Sequence, residues 1–178
     1  MMANPAPHVY KTLPSFSQML SNYPHEGGPE VPKTLIGGDV NAAWITDTCA
    51  IRMSRALNYS GFPIPAQGHS KMYVVKGGDG MWYAIRVAEL KAWLQAKLGP
   101  PSVAPVRGQK ISMDAYKGRK GILALKIHYA PRPGENTAAA GHIDLWDGTQ
   151  FAGEYSQQGQ EQDDFDVAED AVLWFATD

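Results

Sequence analysis

Apolar positions first recur at helical spacing in "PSFSQMLSNYP", where Phe16, Met19, Leu20 and Tyr23 predict one face of a short helix between two prolines. "HEGGPEVPKTLIGGDVN" has no such period and, rich in Gly and Pro, reads as a connection. In "ITDTCAIRMSRALNYSGFPIP" the period returns. Cys49, Met53, Ala56, Leu57 and Ser60 share one face, Arg52, Arg55 and Asn58 point away from it, and Gly61 and Pro63 end the run. Thr46, Asp47 and Thr48 are helix N-cap types, so the helix over Ala50–Tyr59 begins beside Cys49.

Further along the chain the period shortens. "KMYVV" and "MWYAIRV" flank the turn-forming "KGGDG" and predict a β-hairpin. "VAELKAWLQAKLGPP" is an amphipathic helix with Val87, Leu90, Leu94 and Leu98 in register, stopped by Gly99 and two prolines. "KGILALKI" and "HIDLWDGTQF" read as strands, the second closing on a tight turn at Asp147-Gly148; "QQGQEQDDFD" reads as a solvated acidic loop and "AVLWFAT" as a last strand. Helices precede strands joined by short turns, which predicts an α+β fold with an antiparallel sheet, one domain over residues 1–178.

Composition narrows the function classes. The 178 residues are 44% hydrophobic and 19% charged with a net charge of −2, so no basic field attracts nucleic acid. The opening "MMANPAPHVYKTLPSF" lacks the apolar core of a secretory signal, and no apolar run is long enough for membrane insertion. One cysteine excludes an intrachain disulfide and zinc sites of the CxxC type. Asp163, Asp164 and Asp166 lack the ligand spacing of a calcium loop, and no metal or other cofactor is expected.

The candidate chemistry centres on that cysteine. A thiol in the first turn of a helix meets unsatisfied N–H groups and the positive end of the dipole, which favour the thiolate. A nucleophile also needs a base, and His142 opens a strand directly after the polar stretch "HYAPRPGENTAAAG". A helix-start thiol beside a strand-end imidazole can attack a carbonyl, with His142 protonating the leaving amine and the Cys49 backbone N–H as candidate oxyanion donor. For the group that orients His142, Glu154 ranks first: a three-residue turn sets it across the strand pair, about 5 Å away. Asp144, two residues along the same strand, ranks second and Asp147 third; a two-residue turn would instead set Gly153 opposite His142. Unpaired cysteines are also among the most buried residues, so the residues alone leave Cys49 open as nucleophile or as core.

The segments "TCAIRMSRALNYSGFPI" and "GHIDLWDG" resemble the type VI secretion amidase effectors, family 4, and "PSFSQMLSNYP", "YAIRVAELKAWL" and "YKGRKGILAL" fit in order. The resemblance implies a papain-like fold of the NlpC type and hydrolysis of the γ-D-glutamyl–meso-diaminopimelate amide in peptidoglycan peptide stems. It makes Cys49 the nucleophile, His142 the base and an acid on the following strand, around Gly153 and Glu154, the third member. It further implies an antibacterial toxin made without a signal peptide in the producer's cytoplasm and delivered by the type VI apparatus. Such a toxin acts in a target's periplasm and is neutralised by a cognate immunity protein. The cysteine pair of some members is missing, and the loop from His128 to Gly141 is expected to wall the groove. Rival readings are a Cys–His acyl transferase and a non-catalytic binding module on the same scaffold.

Overall fold

The computed structural model describes residues 9–24, 27–103, 110–127, 141–153 and 160–178, without the side chains of 160–163. Helix α1 (Phe16–Ser21) is capped by Ser15, whose hydroxyl accepts the Gln18 N–H. It buries Phe16 and Met19, and leaves Leu20 exposed rather than on the inner face. The expected connection that follows contains a helix of its own, α2 (Glu30–Ile36), and a 3-10 turn (Gly38–Asn41). Pro32 sits in the first turn of α2, where its missing N–H costs no hydrogen bond, so the proline that argued for a loop is compatible with helix.

Helix α3 (Cys49–Tyr59) is the centre of the molecule. It packs against α1, against the hairpin β1 (Val74–Lys76) and β2 (Trp82–Ala84), against α4 (Val87–Leu98), and against the main sheet. Being covered on several sides, it buries the residues expected to face water: Arg52 and Asn58 are 2% and 8% exposed. Each brings partners with it, as a buried polar group must. Asn58 donates to the Trp82 carbonyl at 2.7 Å and accepts from Ile64 N–H at 2.8 Å, and Ser54 accepts from Ala84 N–H at 3.0 Å. The hairpin and α4 match their expected positions, and Gly99 at φ 84° ends α4.

The main sheet is antiparallel in the order β4 (His142–Trp146), β3 (Gly121–Ile127), β5 (Ala168–Phe175). Between β4 and β5, the acidic tract expected to be a solvated loop forms α5 (Gln160–Val167) and buries Phe165. Phe165 is the apolar residue that turns this helix inward: its ring meets Tyr116, Trp146 and Phe151 on one sheet face. The opposite face carries Ile122, Ala124, Ile143 and Leu145 against α1, α3 and α4. The outer strand β4 thus runs beside the start of α3, and both α1 and α3 contact it.

Candidate active site

Strand β4 opens with His142, paired in register with Leu125, and places Asp144 opposite Leu123 on the same face. Helix α3 starts at Cys49, and the two elements bring Cys49 Sγ within 3.2 Å of His142 Nδ1. The other ring nitrogen, Nε2, lies 3.3 Å from Asp144 Oδ2. That contact is an ion-pair distance without the alignment of a full hydrogen bond, and among the described residues neither Nε2 nor Asp144 Oδ1 has a hydrogen-bond partner. Phe151 closes on the imidazole edge-to-face, centroids 4.7 Å apart, and restricts the ring's rotation.

The electrostatics join the thiol and the imidazole. Burial pushes the Cys49 thiol up, with Asp47 and Asp144 adding to it, while His142 pulls it down. Burial opposes charge on His142, but the Cys49 sulfur and the Asp144 carboxylate outweigh it and raise the imidazole well above its ordinary value. The helix terminus alone does not deliver a low thiol pKa at this depth. The sulfur is best stabilised as an anion when His142 holds the proton, and the two titrate together. One expected donor is engaged elsewhere: the Cys49 backbone N–H is bound by Asp47 Oδ1 at 3.0 Å, in a turn just before α3. Among the described residues, no group of three or more acidic, His or Cys side chains could hold a metal ion.

Four residues, Asp147 to Gln150, separate Trp146 from its bridge partner Phe151, where a turn of two or three was expected. Asp147 Oδ1 accepts from Thr149 and Gln150 N–H, so this aspartate builds the turn. The longer turn sets Gly153 beside Asp144, whose Oδ2 accepts the Gly153 N–H at 3.2 Å. A Cβ on Gly153 would stand 2.8 Å from that same oxygen, so glycine there leaves the room Asp144 occupies. Glu154 lies outside the described residues, as does the expected groove wall at 128–140; Asp144 is the acid seen against His142.

Two contributors were not legible in the sequence. Tyr23, read as one more apolar position of the first helix, is 4% exposed, and its hydroxyl lies with Asp144 Oδ2 beside Gly153. Burial and that carboxylate raise its phenol well above the ordinary value. Arg52 is buried with its guanidinium on the carbonyls of Pro24, Gly27 and Gly28.

Comparison with known proteins follows the same lines. The family model described as type VI secretion system (T6SS), amidase effector protein 4, matches residues 45–174. No curated protein matches the chain. Among solved structures, the effector Tae4 of Salmonella typhimurium, determined with the immunity protein Tai4, is similar with a TM-score of 0.73 and 28% identity. The match covers 92% of this chain and 98% of that one. The effector Tae4 of Enterobacter cloacae gives a TM-score of 0.75 at 25% identity over 95% of this chain and 100% of the other. The helix-borne cysteine and strand-borne histidine lie in the papain-like fold of the NlpC type. The chain belongs to the type VI secretion amidase effectors, family 4.

Proposed function

We propose that the chain is an antibacterial cysteine amidase that hydrolyses the γ-D-glutamyl–meso-diaminopimelate amide of peptidoglycan stems. The observation that carries the cysteine mechanism is the 3.2 Å approach of Cys49 Sγ to His142 Nδ1 in a member of an amidase effector family. The thiolate attacks the γ-carbonyl carbon, forming a C–S bond and a tetrahedral oxyanion beside the start of α3, where the helix dipole favours negative charge. Cys49 N–H serves that oxygen once Asp47 releases it. Collapse breaks the C–N bond as His142 gives its proton to the departing diaminopimelyl amine, leaving a thioester. His142 then takes a proton from water, which attacks the thioester, releases the glutamyl γ-carboxylate and restores the thiolate.

Asp144 is the third member in this reading. Set against Nε2, it keeps Nδ1 turned to the sulfur and favours the imidazolium. Glu154, first in rank from the sequence, is the competing assignment. Delivery by the type VI apparatus into a target's periplasm and neutralisation by an immunity protein accord with the family and with the Tai4-bound relatives. No helix among the described residues is long and apolar enough to cross a membrane.

The test is digestion of purified Gram-negative peptidoglycan by wild type and Cys49→Ala, with products read by mass spectrometry. Wild type is expected to release fragments ending at D-glutamate, and Cys49→Ala none at an unchanged melting temperature. Cleavage by both proteins would remove the nucleophile. Cleavage at another bond would remove the substrate assignment alone, and no cleavage by either folded protein would favour the binding-module reading.

A further inference from the structure

We infer that Tyr23 is a positioning residue: clamped to helix α3 by two arginines, it donates its hydroxyl to Asp144 and so locks the nucleophile's helix to the strand that carries the base. This rests on the Cys49–His142–Asp144 reading and deepens it. The clamp is specific to Tyr23's own peptide neighbours. Arg55 donates to the carbonyl of Asn22 at 3.0 Å, and Arg52, one turn earlier on α3, donates to the carbonyl of Pro24. Arg52 spends its other amino group on Gly27 and Gly28, at 2.9 and 3.0 Å. A buried guanidinium with three carbonyl partners holds the segment after α1 in one place relative to Cys49, three residues away on the same helix.

The hydroxyl end is fixed as tightly. Tyr23 Oη and Asp144 Oδ2 converge over Gly153, lying 3.7 and 2.8 Å from where its Cβ would be. Asp144 is 1% exposed, and its Oδ2 receives the Gly153 N–H as well as facing His142 Nε2. A carboxylate between a backbone donor and a phenol has little freedom to swing from the imidazole. The phenol keeps its proton throughout the neutral range, because burial and Asp144 itself raise its pKa, so it is a permanent donor. The path runs from α3 through Arg52 and Arg55 to Tyr23, then to Asp144, His142 and back to the sulfur. The buried hydroxyl acts on the reaction through Asp144.

The test is Tyr23→Phe, which keeps the buried ring, made in the wild-type and the Asp144→Asn backgrounds. Two readouts are needed: kcat and KM on isolated stem peptides, and the rate of Cys49 alkylation by iodoacetamide against pH, which needs no substrate. In the wild-type background kcat is expected to fall about tenfold with KM little changed. The alkylation limb set by His142 deprotonation is expected to move to lower pH, since a loosened Asp144 raises His142 less. In the Asp144→Asn background Tyr23→Phe should add nothing to either readout. An unchanged kcat, an unmoved profile, or the same loss in both backgrounds would overturn the inference. Should Tyr23→Phe melt early, the comparison of backgrounds below the lower melting temperature still decides. A wild type that cuts no peptidoglycan yet shows the alkylation shift would remove the substrate and leave the positioning role standing. A Cys49 whose alkylation profile ignores His142→Ala would remove both.

Discussion

Asp79, on an exposed turn, and Asp144, buried beside α3, both lie against tyrosine hydroxyls and backbone N–H groups, with opposite fates. Asp79, in the turn of the β1–β2 hairpin, accepts the hydroxyls of Tyr59 and Tyr83 at 2.8 and 2.5 Å on one oxygen and the Met81 N–H at 3.0 Å on the other. Asp144 faces a tyrosine hydroxyl and accepts a backbone N–H, but its third neighbour is an imidazole set off line, and among the described residues its Oδ1 has no hydrogen-bond partner. A buried polar atom left without a partner costs roughly 1–3 kcal/mol, so folding alone gives no reason to keep it. Around Asp79 each oxygen is used and the cluster fixes a turn against the end of α3. Around Asp144 the groups are held near, but short of, their best hydrogen-bond geometry.

The sharpest way to separate the two clusters is to remove the imidazole. His142→Ala should cost on the order of 10³-fold or more in kcat, nearly as much as loss of the thiol, because the two act as one unit. Combining it with Cys49→Ala should add little further, and two separate losses that multiplied would break the dyad. Asp144→Asn comes next, at roughly 10²- to 10⁴-fold, while Glu154→Ala should stay near wild type. The reverse ranking on stem-peptide hydrolysis would move the orienting acid to the segment after Gly153.

Asp144→Asn also carries a pH signature. His142 is raised above its ordinary value near 6.5. Its contribution to stability is therefore fully present below about pH 6.5 and is lost as pH rises through the folded value. The gap in Tm between wild type and Asp144→Asn should be widest near pH 6 and narrow on the alkaline side. A gap that widened instead would mean that Asp144 does not hold the imidazolium.

The contrast also shows what the sequence can disclose. The α+β layout, α4 to the residue, the hairpin and the strand opening at His142 follow from local period and turn chemistry. The proximity of Cys49 and His142, 93 residues apart, does not follow from local pattern; the family resemblance is what paired them. What stayed hidden depended on what covers each element. Arg52 reads as solvated because its own helix face is polar, and only the carbonyls of Pro24, Gly27 and Gly28 lying over α3 make it core. The third member turned on the length of one turn. Two or three residues put Gly153 or Glu154 opposite His142, whereas the observed four set Gly153 beside Asp144. Tyr23 gave no signal, since nothing local tells which carboxylate a buried phenol will meet.

The smallest expected effect tests the other half of the comparison. Asp79→Ala removes three hydrogen bonds from an exposed turn, where water replaces much of what is lost. The expected cost is about 1 kcal/mol or less, a fall in Tm of roughly 2–4 °C, with kcat unchanged. Hydrogen bonds from Tyr83, Met81 and Tyr59 hold the Asp79 carboxyl below its ordinary range, although burial opposes them. Stability from a lowered carboxyl is present above the unfolded value near 3.9 and is lost as pH falls through the folded one. The Tm gap for Asp79→Ala should therefore persist at neutral pH and close in acid, opposite in direction to the gap for Asp144→Asn. Two melting series across pH 3 to 9 read both signs. A fall in kcat for Asp79→Ala as large as that for Tyr23→Phe would mean that the hairpin aspartate, too, reaches the reacting groups through α3, and that full hydrogen bonding is no guide to which carboxylate works.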